Sequence, residues 1–182
     1  MTLHLEAPSF AKITGYVAAL EKGWSPDTVR DVSGEQLALY RCAPAALLDE
    51  LTRQDGTVKT GTGDVVPRLP SRTFWLDDGE FCGSINLRFQ PATDELPSYV
   101  SGHIGYAVVP WKRDRGYATE GLRLMLPVAR SVGLRQLMIT CFDDNTASRR
   151  VITSNGGVLE RTGAYAGRNR LFFRIDLGLP LP

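Results

Sequence analysis

Apolar residues in this chain follow two rhythms, and the change comes near Arg72. Before it the spacing is mostly helical. Phe10, Ile13, Val17 and Leu20 recur at intervals of three and four, which predicts a helix that starts at Pro8 and Ser9 and ends near Gly23. Ser33 is a candidate cap for a second helix over 34–41. Pro44 interrupts that pattern, and it resumes over 45–53 with Leu47, Leu48 and Leu51. Residues 2–6 alternate weakly and read as an edge strand. The span 55–70 is rich in Gly, Thr and Pro and reads as a loop, either beside a substrate entrance or as a plain surface connection.

From Arg72 onward the period shortens to that of strands. Segments 73–76 and 81–89 flank Asp77-Asp78-Gly79-Glu80, a hairpin turn signal, and their aromatics Phe74, Trp75, Phe81 and Phe89 suit a sheet core. After a loop over 90–101 comes a strand over 102–109. A helix over 118–132 follows, with Leu122, Met125, Leu126, Ala129 and Val132 on one face; Pro127 inside it predicts a kink or an early end. Then come a strand over 134–142, a helix over 145–154 stopped by Gly156-Gly157, and strands over 158–161 and 171–177 around a turn rich in Gly and Arg. The expected fold class is α/β (α+β), a mixed, largely antiparallel twisted sheet flanked by helices.

Composition narrows the classes. The 182 residues fit a single domain, 1–182, with a full core. Hydrophobic content is 43% and charged content 23%, ordinary for a globular protein, and a net charge of +1 supplies no field toward nucleic acid or a membrane surface. Cys42, Cys82 and Cys141 are odd in number and lack zinc or disulfide spacing; Cys82 and Cys141 lie in strand-like runs and are expected to be buried, inert thiols. The opening Met1-Thr2-Leu3-His4-Leu5-Glu6 lacks the basic start and apolar run of a signal peptide, and no apolar stretch approaches the ~18 residues that span a bilayer, so a cytoplasmic location is the default expectation.

The most informative chemistry lies where the strand ending Val108-Val109 meets the next helix. Between them stands Pro110-Trp111-Lys112-Arg113-Asp114-Arg115-Gly116-Tyr117-Ala118-Thr119, a basic turn carrying Arg-x-x-Gly-x-Ala. Backbone N–H groups at a helix start lack intrahelical partners and sit at the positive end of the macrodipole. With Arg113 and Arg115 as fork-shaped donors, and small residues at Gly116 and Ala118, the turn reads as a pyrophosphate cradle. The Gly-x-x-x-x-Gly-Lys-Ser/Thr loop of nucleotide hydrolases is absent, as is the Gly-x-Gly-x-x-Gly of dinucleotide folds. A second element, Asp144-Asn145-Thr146-Ala147-Ser148, follows the next strand; Asn145 or Asp144 there also suits plain helix capping.

In this order and spacing the chain resembles the GNAT superfamily of acyl-CoA-dependent N-acyltransferases, whose loop motif is Arg/Gln-x-x-Gly-x-Gly/Ala. The likeness runs over 72–177 and is strongest over 102–160. Gly102-His103-Ile104-Gly105-Tyr106, Asn145-Thr146-Ala147-Ser148 and Gly156-Gly157-Val158-Leu159-Glu160 look most like a bacterial branch of acetyltransferases, similar to the enzymes that acetylate ribosomal-protein N-termini. The helices over 8–54 lie outside it and are expected to shape the acceptor site.

The resemblance implies acetyl-CoA as cosubstrate, no metal, and a small-molecule or peptide amine as acceptor, with no nucleic-acid or membrane partner. The superfamily's frequent dimers leave a homodimer open. It implies that main-chain groups of Val108 and Val109 pair with the pantetheine arm. Amides of Arg113, Asp114, Arg115, Gly116, Tyr117 and Ala118 would hold the pyrophosphate, with Thr119 flanking, and Asn145 would bond the pantetheine side. Ser148 would lie near the thioester sulfur and stand in for the family's Tyr, since Ile152 occupies that Tyr's position. His103, with a free imidazole pKa of about 6.5, is the first candidate base, and Glu160 the second; each also suits a structural or solvated role. Arg161, Arg168, Arg170 and Arg174 could attract an acidic acceptor, although strand-edge charge is the commoner reason for such residues. Direct transfer in a ternary complex is the expected activity. A non-catalytic acyl-CoA-binding or regulatory module, or a binder of another phosphate ligand, is the rival reading.

Overall fold

Strand β5 (Phe81–Arg88) organises the first sheet, in the computed structural model that describes residues 2–59, 63–165 and 167–178. It pairs antiparallel with β4 (Ser71–Asp77) on one side and β6 (Ile104–Val108) on the other, and the short β1 (His4–Glu6) closes on β4, giving the order β1-β4-β5-β6. A hairpin of β2 (Thr57–Lys59) and β3 (Val65–Pro67) stands apart. The second sheet has the order β7-β9-β8, from β7 (Gln136–Phe142), β8 (Val158–Tyr165) and β9 (Arg168–Asp176), again antiparallel.

The period of two splits these sheets into different faces. Leu76, Ile85, Leu87, Leu137, Ile139 and Phe173 turn to one side, where α4 (Tyr117–Ser131) and α5 (Thr146–Ser154) cover them with Leu122, Met125, Ala129 and Ile152. On the other side Trp75, Phe81 and Ala107 meet α1 (Ile13–Glu21); α2 (Ser33–Cys42) packs on α1, and α3 (Pro44–Thr52) packs on α2 and β4 with Leu47 fully buried. Tyr16 of α1 stacks on Trp75 at 5.1 Å, with Trp24 and Phe81 edge-on to its ring. Complete burial of each large side chain contributes about 1.5–3 kcal/mol, so both layers are hydrophobic clamps on the same sheet.

The two sheets are joined by backbone hydrogen bonds at His103 and Met138. The N–H of His103 donates to the Met138 carbonyl at 2.7 Å, and the N–H of Met138 donates to His103 Nδ1 at 2.9 Å. Gly102 permits this approach, because a Cβ there would lie 3.1 Å from the Met138 carbonyl oxygen. Beyond the contact β6 and β7 belong to separate sheets, and a cleft opens between them.

Several elements differ from the expectations. The first helix begins at Ile13, and Phe10 is 60% exposed, outside its buried face. Ser33 is not a cap: it lies in the first turn of α2, and Asp31 accepts its N–H. The 55–70 span contains the β2–β3 hairpin; its residues 60–62 lie outside the described residues. Pro127 does not end α4, because the last turn is held by Ala129, fully buried, and by Arg130, whose Nε donates to the Leu177 carbonyl. The β8–β9 hairpin extends to Tyr165 and Arg168, closer to its turn than the apolar pattern alone marks.

Candidate functional site

The turn after β6 is built by conformation and by one buried charge. A single 3-10 turn, Pro110–Lys112, leads to Asp114 at φ +59° and Gly116 at φ +82°. Both lie in the left-handed region, and a Cβ on Gly116 would meet nothing within 4 Å, so Gly116 is required by the backbone angle while the space above it stays open. Gly116 starts α4 without a side-chain cap, and the first intrahelical bond runs from the Glu120 N–H to the Gly116 carbonyl at 2.9 Å. The amides of Tyr117, Ala118 and Thr119 therefore point out of the helix.

Lys112, only 7% exposed, holds this turn from beneath. Its Nζ lies 2.7 Å from Asp78 Oδ1 and 3.2 Å from Glu80 in the β4–β5 hairpin. Tyr117 donates its hydroxyl to the other Asp78 oxygen. Burial by itself would raise the Asp78 pKa, but the hydrogen bonds from Lys112, Tyr117 and Cys82 outweigh it and hold the carboxyl well below the usual carboxylate range. Desolvation by burial pulls the Lys112 ammonium down, but its hydrogen bonds to Asp78 and Glu80 outweigh this and push its pKa up.

The two valines before the turn have different places. The Val109 N–H donates to the Cys82 carbonyl and its own carbonyl accepts from Lys112, both at 3.0 Å. Val109 is fully buried and its main chain is committed, so the expected pairing of Val109 with a ligand does not hold. The bonds Arg88 N–H to His103 carbonyl and Val109 N–H to Cys82 carbonyl fix which residues of β6 face β5. By the alternation of an antiparallel ladder, the main-chain groups of Ile104, Tyr106 and Val108 face the gap toward β7. The Val108 carbonyl accepts from Arg113 Nε at 3.2 Å, which carries that guanidinium to the mouth of the cleft. Arg115 is exposed and lies outside the cleft wall, which includes Arg113, Asp114, Gly116, Ala118 and Thr119.

The opposite wall comes from β7 and α5. Asn145 caps α5, its Oδ1 accepting the Ser148 N–H at 2.9 Å, so the plain capping role is real and coexists with a place on the cleft wall. Ser148 Oγ lies 2.8 Å from Tyr106 Oη across the gap. Burial raises the Tyr106 phenol to about 12 despite the Ser148 hydrogen bond, so it stays protonated near neutrality. Cys141 lines the same wall as a free, buried thiol whose pKa burial pushes up.

Neither candidate base reaches this cleft. His103 is 1% exposed; its Nδ1 accepts a backbone N–H, its Nε2 is buried without a partner, and burial lowers its pKa. That arrangement ties β6 to β7 and keeps the ring neutral. Glu160 lies on β8, paired with Arg174 at 2.6 Å, beside a separate hollow of about 80 Å³. The C-terminal arginines are likewise engaged. Arg168 pairs with Asp144 and lies 3.7 Å over Phe142, Arg170 lies 3.7 Å over Tyr165, and Arg161 lies 3.5 Å over Phe172.

The whole cleft measures about 1900 Å³. Single-ligand pockets usually span roughly 300–1,000 Å³, so this one has room for two reactants side by side. One half lies between the α4 turn and the β6–β7 gap. The other lies over Ser84, Asn86 and Arg88 of β5, beneath α2 and the segment 23–32.

A family model described as an acetyltransferase (GNAT) domain matches residues 52–158. This chain belongs to the GNAT acetyltransferase family. That match spans the β6–turn–α4–β7–α5 unit in full. RimL, a ribosomal L7/L12 α-N-protein acetyltransferase solved with coenzyme A, superposes with a TM-score of 0.66 at 17% identity, covering 97% of this chain and 94% of that one. Mycobacterium smegmatis RimJ, solved with CoA-disulfide, gives 0.65 at 19% identity, covering 96% and 81%. The microcin C7 self-immunity acetyltransferase MccE, solved with acetyl-CoA and AMP, gives 0.60 at 12% identity, covering 96% and 92%. At these identities the likeness establishes a shared fold. No curated protein matches the sequence.

Proposed function

We propose that this protein transfers an acetyl group from acetyl-CoA to an amine by direct attack in a ternary complex. The observation that carries this reading is the uncapped amide cluster at the start of α4, set at the mouth of a gap lined by outward main-chain groups of β6. The amides of Tyr117, Ala118 and Thr119, with the Arg113 guanidinium, receive the pyrophosphate. The main chain of Val108 pairs with the pantetheine arm as an added strand does, and Asn145 and Ser148 face it from α5.

The chemistry then needs an oxyanion donor, a proton for the thiolate and a neutral amine. A β6 N–H facing the gap, at Val108 or nearby, polarises the thioester carbonyl. The amine nitrogen bonds to that carbon, the C–S bond breaks, and the sulfur leaves as thiolate. Ser148 relays a proton to the thiolate as it takes one from the Tyr106 phenol at 2.8 Å, and cleft water, carrying the proton the amine released, reprotonates Tyr106. His103 and Glu160 take no part as bases, since neither faces the reactants. The ammonium proton leaves through cleft water instead. α-Amines, with pKa values of about 7.7–8.0, lose it near neutrality far more readily than lysine ε-amines at about 10.4. The helices α1 to α3 and the β2–β3 hairpin shape the acceptor half.

Thiol release from acetyl-CoA with a panel of amines tests the proposal. Turnover is expected, with kcat lowered on the order of tenfold or more in Ser148→Ala and the acetyl-CoA dissociation constant unchanged. Full turnover in that variant removes the Ser148 role. Acetyl-CoA binding without turnover of any amine favours the rival, a non-catalytic acyl-CoA-binding module.

A further inference from the structure

Arg88 is a cation placed at a cost. It sits on the cleft face of β5, two residues beyond Asn86, and its Nε is buried without a hydrogen-bond partner. Its Nη2 lies 3.1 Å from where a Cβ on Gly105 would stand, so the glycine on the neighbouring strand makes room for the guanidinium. The buried Nε loses hydration that nothing among the described residues returns, while the rest of the half-buried guanidinium faces the cleft. Desolvation by burial lowers its pKa, and the field of Asp27 only partly offsets that.

The carboxylates around this half of the cleft are already engaged. Asp27 Oδ1 accepts the N–H groups of Val29 and Arg30. Glu35 pairs with Arg30, and Glu50 pairs with Arg68 at 2.5 Å. The neighbours of Arg88 on its own face, Asn86 and Thr73, satisfy each other at 2.8 Å. The guanidinium therefore faces the acceptor space with its donors available, and a planar fork of this kind matches carboxylate or phosphate oxygens.

We propose that Arg88 is the anion-recognition residue of the acceptor site, so that the acetylated amine carries a carboxylate or phosphate group within a few atoms of its nitrogen. This rests on the acetyl-transfer reading above. The register sets the scale: Arg88 stands one pair beyond Leu87 and Ile104, and Gly105 under its guanidinium adjoins Tyr106. At about 3.3 Å per strand residue, the offset along the strand between the anion and the level of Tyr106 and Ser148 is roughly 3–7 Å, with the Arg88 and Tyr106 side chains on opposite faces of β5–β6. A small anionic substituent beside the amine spans that distance; a long polycationic amine places positive charge against it.

Matched amine pairs, compared at equal concentrations of the neutral amine, test this: glycine against glycinamide, O-phosphoethanolamine against ethanolamine, and an aspartyl dipeptide amide against its asparaginyl counterpart. The pairs separate α-carboxylate, phosphate and side-chain carboxylate as sources. At least one anionic member is expected to exceed its neutral partner on the order of tenfold to hundredfold in kcat/KM, mostly through KM. In Arg88→Gln that preference disappears, while calorimetric acetyl-CoA binding persists. The same variant is expected to keep or raise the melting temperature, because it removes a donor that is buried without a partner; an arginine that merely held the fold together would lower it on removal. The proposal is overturned if neutral members match their anionic partners, if the preference survives in Arg88→Gln, or if no anionic member is acetylated while other amines are; acetyl-CoA binding without turnover of any amine brings down the transferase reading itself. Failure to bind acetyl-CoA would also bring down the underlying transferase reading.

Discussion

At the scale of single residues, the buried Lys112–Asp78 pair determines whether the phosphate turn has a foundation. The two side chains are 8% and 5% exposed, and they join the α4 start to the β4–β5 hairpin. Removing one partner strands the other's charge, so Lys112→Met is expected to cost about 3–5 kcal/mol, read by urea unfolding. The pH dependence has a definite sign. The folded Asp78 carboxyl titrates below its unfolded value of about 3.9, so its contribution is present above that pH and is lost as pH falls below it toward the folded pKa. Asp78→Asn should therefore be less stable than wild type at neutrality, and the difference should shrink in acid. A stability gap that widens below pH ~4 would contradict the assignment. None of this pairing was legible in the sequence. Lys112 appeared there as one more cation of a basic turn, because its partners lie 32 and 34 positions away, across a hairpin register that local patterns do not carry.

At the scale of elements, the cleft depends on strands that approach and then part. Gly83 lies opposite Val108 at φ +148°, and a Cβ there would stand 2.2 Å from the Ala107 carbonyl oxygen. Gly83→Ala is expected to push β5 and β6 apart, lowering stability by at least about 2 kcal/mol and weakening acetyl-CoA binding, since Val108 shifts with the strand. Thermal melting and calorimetry read the two effects separately. Unchanged values in both would show that β6 does not position the ligand. Here the sequence was informative where periods were long and clean: α4, α5, β5 and β7 lie where their apolar spacing predicts. It misled where a local signal competes with packing. Ser33 resembled a cap but Asp31 does that work, Phe10 matched a helical period but lies before the helix, and Pro127 stands inside a helix that buried contacts sustain. His103 and Glu160 looked titratable and near the site; the fold gives one a backbone partner and the other an arginine. Arg88 was missed because its significance is the absence of a partner, which only the three-dimensional arrangement reveals.

At the scale of the molecule, the two sheets form one cleft, and the proposed reading gives it a phosphate end, a thioester gap and an acceptor half. With no side chain assigned as base, the pH profile belongs to the acceptor. The logarithm of kcat/KM is expected to rise with slope one up to the acceptor's own amine pKa, and to move when an α-amine is replaced by an amine of different pKa. A fixed inflection near 6–7 for all acceptors would point to a protein base instead. The measurement that bears most directly on the central claim is calorimetric titration of acetyl-CoA into the wild type and into Gly116→Glu. That substitution sets a carboxylate among the α4 amides in a space now open to 4 Å. Micromolar binding by the wild type, reduced at least about a hundredfold in a variant with an intact melting transition, is the predicted result. Equal binding by both proteins, or none by the wild type, would contradict the assignment of this turn as the seat of the pyrophosphate.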